Sequence, residues 1–300
     1  MRVVGLGLTV VDHLLTVPAL PGPDEKVTAS AARVQVGGPV PTALSQLAKL
    51  GGPVGSLLSA WADDADGRRI ERNLRAAGLG FAPAACRTAP RTGFAHAWVE
   101  EGTGRRSLVA VRPDGGGLTP EAAADFARGA DLLHTDGWPG DAAVAAAEAV
   151  KSAGGTVCVD LGASPKPPAL LTLADVLNLP AAAVRRVTGD RPPADAARRL
   201  RDRGPRLVTV TNGSAGCWWA ARDATGESGG FVPAFAAEAV DTCGAGDAFC
   251  GGLLFGLLND WPADRGVRFA AAVASLKVRR EGNREALPGR AAVERLLAER

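Results

Sequence analysis

The residues best suited to chemistry lie in one short segment, Val240-Asp-Thr-Cys-Gly-Ala-Gly-Asp-Ala-Phe-Cys-Gly-Gly-Leu253. A loop of small residues there precedes an apolar helix that we predict to run to about Leu258. At the start of a helix the first four N–H groups lack intrahelical partners, and the helix dipole is positive. Gly244, Ala245 and Gly246 have no bulk that would keep an anion away from these groups. The segment therefore predicts a site for a phosphate group or its transition state.

Asp247 lies in the first turn of the same helix and adds a carboxylate. A hydroxyl is a poor nucleophile, and it gains from a positioned carboxylate that takes its proton as the bond to phosphorus forms. We therefore predict Asp247 as the catalytic base, acting mostly through positioning. Gly244, Ala245 and Gly246 are the predicted anion hole. Taken alone, an Asp in a first turn is also typical of a simple helix cap.

The elements that must position this segment alternate between strands and helices from about residue 119. We predict strands at 131–135, 156–160, 175–178 and 207–211, with helices beginning at Thr119-Pro120 and near 141–153, 169–173, 181–187 and 194–203. This alternation predicts an α/β fold with a parallel sheet and helices on both faces. Ligands bind such sheets outside the carboxyl ends of the strands. Asp12, Asp160, Asn178 and Thr211 all lie at or near predicted ends of this kind.

The first third of the chain gives different signals. Arg2–Asp12 is short, apolar and β-branched, which predicts one buried strand. Shorter strand-like pieces recur at 26–36 and 92–112, the latter with a hairpin turn at Gly102-Thr-Gly104. Residues 42–50 have the apolar spacing of an amphipathic helix that ends at two glycines. Because no linker divides the chain, we predict a single domain, 1–300, with a small β appendage from about 12–36 and 92–112.

Composition limits the functions that are open to this chain. It has 300 residues, with 34 basic and 32 acidic side chains that give a formal net charge of +2 and no long basic run. The five cysteines never form CxxC and the three histidines never form HExxH, so neither a disulfide framework nor a zinc site is indicated. There is no signal-peptide pattern and no apolar run of membrane length. We expect a cytoplasmic protein with no nucleic-acid or membrane partner.

Two other phosphate-binding motifs are excluded. Gly5-Leu-Gly7 resembles the start of a dinucleotide fingerprint, but the third glycine would fall at Val10, and no helix plausibly follows. A P-loop requires Gly-Lys, and none of the five lysines follows a glycine.

The string Asp241-Thr-x-Gly-Ala-Gly-Asp-x-Phe-x-Gly-Gly252 resembles the signature of the ribokinase-like (PfkB) carbohydrate kinases. Other segments resemble motifs of that family in the same order over residues 3–288: Gly37-Gly38 with Thr42-Ala43 and Leu47–Gly51, then Val210–Gly216, then Ala270–Val278 with Gly282 and Pro288. The resemblance implies a three-layer α/β/α sandwich with a mostly parallel central sheet, in which the β appendage is a lid over the sugar. It also implies transfer of the γ-phosphate of ATP to a hydroxyl of a sugar or similar polyol, with Mg²⁺.

The resemblance assigns roles to matching residues of this chain. The acceptor is expected to contact Asp12, Gly37, Gly38, Thr42 and Asp247. The nucleotide is expected to contact Asn178, Thr211, Gly213, Ser214, Gly216, Gly244, Gly246 and Ser275. Some relatives bind a monovalent cation through the equivalent of Asp241 and neighbouring carbonyls, which makes K⁺ a further candidate. An exposed edge of the lid sheet also favours a homodimer through the lid.

Three positions depart from the family pattern. The family usually has Asn where Thr42 stands, and Thr or Val is commoner at Cys243. A glutamate often follows the equivalent of Asn178 and helps to organise Mg²⁺, but no acidic residue occurs here before Thr188. The missing glutamate favours a non-catalytic sugar- or nucleotide-sensing protein, whereas Asp247 and its glycine loop favour a sugar kinase. A nucleoside kinase of the same fold stays open, although this chain has no Tyr and only 8 Phe for an aromatic-lined pocket.

Overall fold

The computed structural model describes residues 1–102, 106–113, 117–162, 167–224 and 226–299. The strands of its larger sheet are β1 (Val3–Leu6), β4 (Ser56–Leu58), β5 (Gly80–Phe81), β8 (Leu132–Thr135), β9 (Thr156–Asp160), β10 (Val176–Pro180), β11 (Leu207–Thr211), β12 (Cys217–Asp223) and β13 (Gly226–Val232). The smaller sheet contains β2 (Val10–Val17), β3 (Ala31–Gly37), β6 (Phe94–Glu100) and β7 (Arg106–Val111). The helices are α1 (Pro39–Lys49), α2 (Ala65–Ala76), α3 (Pro83–Cys86), α4 (Pro120–Ala127), α5 (Gly140–Ser152), α6 (Pro168–Leu173), α7 (Ala181–Thr188), α8 (Pro193–Arg201), α9 (Ala245–Leu258), α10 (Ala263–Lys277) and α11 (Arg290–Ala298).

The larger sheet has the order β13-β12-β11-β10-β9-β8-β1-β4-β5. Its strands run parallel from β11 through β5, and β12 pairs antiparallel with both β11 and β13. The central strands β1, β8, β9 and β10 are buried along almost their whole length. Continuous burial of this kind is typical of parallel strands with helices on both faces. The predicted α/β fold with a mostly parallel sheet is confirmed.

Several predicted elements have the predicted bounds. Strands β9 and β11 cover 156–160 and 207–211. Helix α4 begins after Thr119, whose side chain accepts a hydrogen bond from the backbone N–H of Ala122 at 3.2 Å. Among the described helices, none is long and apolar enough to cross a lipid bilayer.

The prediction of one strand over Arg2–Asp12 is wrong. Strand β1 ends at Leu6, and β2 begins at Val10 in the other sheet. The chain turns where Leu8 donates its backbone N–H to Asp136 Oδ2 at 3.1 Å, and a methyl group at Gly7 would overlap the Asp136 carboxylate. Because both segments are apolar and β-branched, hydrophobicity does not reveal the break. Asp12 therefore lies within β2 of the smaller sheet, not at the end of a central strand.

The smaller sheet has the order β3-β2-β6-β7 and comes from the two segments that predict the β appendage. Asp12 pairs with Gln35 on one side and Ala95 on the other, so these three residues share one face of the sheet. Of the predicted hairpin turn Gly102-Thr-Gly104 between β6 and β7, residues 103 and 104 lie outside the described part of the chain.

The amino ends of α1 and α9 are brought together by close helix packing. Helix α9 contacts both α1 and α10. A methyl group at Gly251 would overlap the carbonyl of Ala43 and the side chain of Gln46, and one at Gly252 would press on Ala270. The two glycines thus allow α9 to approach both neighbours at backbone distance. This contact fixes the predicted anion loop beside the glycines that precede α1.

Candidate active site

The predicted anion loop forms the amino end of α9. Gly244 caps this helix in the left-handed conformation, with φ of 75°. A side chain at Gly244 would overlap Oδ1 of Asn283, whereas a Cβ at Gly246 would meet no atom within 4 Å. The position before the helix therefore requires glycine, and the space above its first turn is open. This geometry suits a phosphoryl group held by helix N–H groups.

Asp247 stands in the first turn of α9, half-buried beside that open space. Burial, together with the nearby carboxylates of Asp160 and Asp136, raises the pKa of Asp247 to about 7. Lys277 and Arg284 oppose this rise. A base with a pKa near the working pH is better matched to proton transfer than an ordinary aspartate. The environment thus supplies basicity that the sequence does not predict.

Three predicted acceptor residues meet between the smaller sheet and the start of α1. The Asp12 carboxylate packs over Gly37 so closely that a methyl group there would overlap it. Gly38, with φ of 119°, is the cap residue of α1, and a methyl group on it would overlap the carbonyl of Leu8. Both glycines are needed here to place the Asp12 carboxylate beside the helix start.

Thr42, the fourth predicted acceptor residue, is fully buried in α1. Its Oγ1 accepts a hydrogen bond from Nδ2 of Asn283 at 3.2 Å. The backbone N–H of Asn283 in turn donates to Oε1 of Gln35 at 3.3 Å. The loop after α10 thus places an amide beside position 42, where the resemblance leads one to expect Asn. Direct contact between Thr42 and an acceptor stays a prediction.

Two further carboxylates, Asp136 and Asp160, act on Asp247; sequence analysis places only Asp160 at a strand end and assigns a role to neither. Asp136 follows β8 and accepts hydrogen bonds from the backbone N–H groups of Leu8 at 3.1 Å and Trp138 at 3.0 Å. Asp160 ends β9, and its Oδ1 accepts a hydrogen bond from the N–H of Gly162 at 3.2 Å. Both stand at carboxyl ends of parallel strands, which is the one signal that points to them.

Asn178 orients Asp160. Its Nδ2 donates to Asp160 Oδ1 at 3.3 Å, and its Oδ1 accepts from Thr209 Oγ1 at 2.8 Å. Only 5% of Asn178 is exposed. The amide therefore fixes a neighbouring carboxylate from within the sheet, and its direct contact with a nucleotide stays a prediction.

The predicted nucleotide turn follows β11, at the same edge of the sheet. Gly213–Ala215 form one turn of 3₁₀ helix, closed by a hydrogen bond from the N–H of Asn212 to the carbonyl of Gly216 at 2.8 Å. Gly216 has φ of 104°, and a methyl group there would overlap the carbonyl of Val232. Thr211 is half-buried and Gly213 and Ser214 are exposed, whereas Ser275 is buried in α10. Nucleotide contacts at these positions stay predictions.

The residues present suit Mg²⁺ bound through a nucleotide. Mg²⁺ is commonly held by one or two carboxylates together with substrate phosphates. Asp160 and Asp247 supply such carboxylates within electrostatic range of each other. Within the described ranges no group of three or more His, Cys, Asp or Glu forms a protein-only metal site. Asp160 is thus a candidate for the role of the glutamate that is missing after Asn178.

The residues around Asp241 do not suit K⁺, because a cation of the protein already stands there. Lys277 is fully buried, and its Nζ donates to the Asp241 carbonyl at 2.9 Å and lies 3.8 Å from Asp241 Oδ2. Burial lowers the pKa of Lys277, while Asp241 raises it. The carbonyl that the resemblance offers to a monovalent cation is therefore taken by an ammonium group.

The smaller sheet is tied directly to the anion loop. Arg33 of β3 donates from Nη2 to Asp241 Oδ2 at 3.4 Å, and Nε2 of Gln35 lies 3.8 Å from the Cys243 sulfur. Asp241 also accepts a hydrogen bond on Oδ1 from the N–H of Cys243 at 2.8 Å. Side chains of the appendage thus contact the same loop that leads into α9.

Known proteins match this chain along its whole length. A profile of the pfkB family carbohydrate kinases matches residues 2–290. An ATP-dependent ribose-1-phosphate kinase from Halopiger xanaduensis is 30% identical over 309 positions, covering 100% of this chain and 99% of that protein. The structure of Arabidopsis thaliana ribokinase complexed with ribose and ATP has a TM-score of 0.82 at 25% identity, covering 99% of this chain and 98% of that chain.

A ribokinase-type structure from E. coli in complex with ATP and Mg²⁺ shares the fold, with a TM-score of 0.81 at 20% identity over 100% of this chain and 99% of that chain. The profile match, the full-length relative and the common fold agree with the order of motifs in the sequence. The chain belongs to the pfkB family of carbohydrate kinases.

Proposed function

We propose that this kinase transfers the γ-phosphate of ATP to a hydroxyl of a pentose or pentose derivative, with Asp247 as the base. The observation that carries the proposal is a carboxylate whose pKa is raised to about 7, at the amino end of a helix with open space above its glycine loop. The named relatives act on, or bind, ribose or its phosphate, which supports a pentose acceptor. ATP as the donor favours the cytoplasm as the compartment.

Each residue has a distinct part in this proposal. Asp12 holds acceptor hydroxyls, and Asp247 takes the proton of the hydroxyl that attacks phosphorus. The N–H groups at the start of α9 stabilise charge on the transferred phosphoryl oxygens. Mg²⁺ bound with ATP would supply further neutralisation of phosphate charge, and Asp160 would be the carboxylate that holds it. The smaller sheet acts as a lid that excludes water from the reacting groups.

We also propose that the enzyme does not require K⁺. The ammonium group of Lys277 provides a fixed positive charge behind the anion loop, at the Asp241 carbonyl. A protein-borne cation there replaces the diffusible one that some relatives use.

The acceptor class is tested by ADP release with ATP and Mg²⁺ over ribose, ribose 1-phosphate, deoxyribose, fructose and adenosine. We expect a pentose or its phosphate to exceed adenosine in kcat/KM by about 100-fold, because the chain has no Tyr and only 8 Phe to line a pocket for the base. Preference for adenosine would favour the nucleoside kinase. ATP binding without turnover of any acceptor would favour the sensing protein.

The outer face of the smaller sheet supports a homodimer through the lid. Its register aligns Val34, His13, His96 and Val109 in one row across the four strands. Val34 is 38% and Val109 61% exposed, and the two imidazoles stack with their centroids 4.9 Å apart. We expect sedimentation equilibrium to give a dimer, and Val109→Glu to give a monomer; a monomeric parent chain would contradict the proposal.

A further inference from the structure

One buried cation of the site has no place in the reaction described so far. Arg284 lies in the loop after α10 and is only 8% exposed. Its Nη2 donates to the carbonyl of Val36 at 3.0 Å, but Nε and Nη1 have no hydrogen-bond partner among the described residues. Within that part of the chain, two of the three guanidinium nitrogens are therefore buried without an acceptor.

This arrangement is costly unless a ligand completes it. Burial lowers the pKa of Arg284 to about 10, so the guanidinium is still charged at neutral pH. Burying a charged group with unmet donors is strongly unfavourable, whereas an anion that accepts from the planar fork compensates for the burial. A phosphate or carboxylate fits such a fork with two parallel hydrogen bonds.

The position of Arg284 assigns the ligand to the acceptor side of the site. Val36, which accepts its one hydrogen bond, immediately precedes the Gly37 that Asp12 packs against. Asp247 and Asp12 both act electrostatically on the guanidinium. Arg284 thus lies with the two carboxylates that handle the acceptor.

The carboxylates that surround Arg284 do not take the place of a ligand. Glu285, Asp247 and Asp12 are the groups whose charge stabilises the cation. None of them accepts a hydrogen bond from Nε or Nη1. Their attraction keeps the guanidinium charged and leaves two donors available.

We propose that Arg284 binds an anionic group of the acceptor, so that the preferred substrate is a phosphorylated or carboxylated sugar and not a neutral one. This inference rests on the proposed kinase function and narrows its substrate class. The new hydrogen bonds run from Nε and Nη1 to the anion, while Asp12 holds hydroxyls of the same molecule. No covalent step involves the anionic group.

The test compares ribose, ribose 5-phosphate, ribose 1-phosphate and ribonate as acceptors and as ligands in calorimetry. Wild type is expected to favour at least one anionic acceptor over ribose by about 100-fold in kcat/KM, the scale of two charged hydrogen bonds. Ribonate against the two phosphates separates carboxylate from phosphate recognition. In Arg284→Met the ratio of anionic to neutral acceptor falls by about 30-fold or more, whereas the exposed Arg280→Met keeps the wild-type ratio.

Arg284→Lys keeps a cation but loses the planar fork. A ratio of anionic to neutral acceptor between those of wild type and Arg284→Met therefore supports bidentate binding. If Arg284→Met does not fold, Arg284→Lys carries the test alone. The inference is overturned if wild type prefers ribose, or if the variant loses the same factor in kcat/KM on ribose as on the ribose phosphates. The outcome also separates the two proposals. If no acceptor is turned over, but wild type binds an anionic sugar in calorimetry and the Arg284 variants do not, the kinase reaction is overturned and the Arg284 site is supported.

Discussion

Replacing Asp247 with Asn is expected to lower kcat by about 10³-fold and to leave the KM for ATP within about threefold, because a general base contributes 10²–10⁴-fold to such steps. The amide keeps the shape and the first-turn position of the carboxylate but does not take the hydroxyl proton. The measurement is ADP release with the best acceptor, at saturating ATP. Activity within about tenfold of wild type would show that Asp247 is a helix cap and not the base.

Asp264→Asn is the matched control, since Asp264 is an exposed residue in the first turn of the next helix, α10. It removes a carboxylate from the same kind of position without touching the site, and we expect wild-type kcat. The pH profile adds a second readout for Asp247. Because only the ionised carboxylate accepts a proton, wild-type activity should fall as pH decreases through about 7.

Stability distinguishes loss of the base from loss of the fold. The pKa of Asp247 is raised from 3.8 to about 7 in the folded chain, so the folded state holds an extra proton between these values. The contribution of this group to the free energy of unfolding therefore decreases as pH rises across that window. The neutral amide of the Asp247→Asn variant has no such charge to bury. This variant should show a higher Tm than wild type at pH 8, and a smaller difference at pH 4.

Removing the ammonium group of Lys277 is expected to lower kcat/KM by about 100-fold in buffer without K⁺, because a buried charge partner is lost behind the anion loop. Lys277→Ala leaves a cavity at the Asp241 carbonyl, whereas Lys277→Met fills it with an apolar side chain of similar length. We expect 100 mM K⁺ to restore activity several-fold in the Ala variant only. Activity is measured with K⁺ or tetramethylammonium as the salt cation.

Wild type provides the control for this pair, since its activity should be the same in both salts. A wild-type loss of more than about threefold without K⁺ would show that the ammonium does not replace the ion. The variants also report on Asp247. Lys277 lowers the pKa of that carboxyl, so its removal should move the acid limb of the pH profile to higher pH in both variants.

The sequence predicts those parts of the site that lie in contiguous segments. Asp247 and its glycine loop occupy successive positions, and β9 and β11 are short β-branched runs whose bounds are visible. The break after Leu6 could not be predicted, because it depends on packing against Asp136, 128 positions away from Leu8. Contacts of that separation leave no periodic signal in a single sequence.

The buried cations were missed for a different reason. Arg284 belongs to a run of charged residues that begins at Arg279, and such runs usually form solvated surfaces. Arg279 and Arg280 are indeed exposed, and only the folded loop turns Arg284 inward. Lys277 ends a helix, where a lysine ordinarily faces solvent and stabilises the helix dipole. Whether a charged side chain is buried depends on tertiary packing, and the residue types Arg and Lys by themselves predict exposure.

The contacts from β3 to the anion loop would link the binding of the two substrates in the proposed reaction. Arg33 and Gln35 contact Asp241 and Cys243, while Asp12, the proposed acceptor-binding carboxylate, stands on the adjacent strand, β2. In the proposed reaction, a change in the placement of this sheet on acceptor binding would be passed through these contacts to the loop that holds the donor phosphates. Linkage is reciprocal, so the donor must alter acceptor affinity by the same factor. With such coupling, neither affinity would be an independent property of its own half of the site.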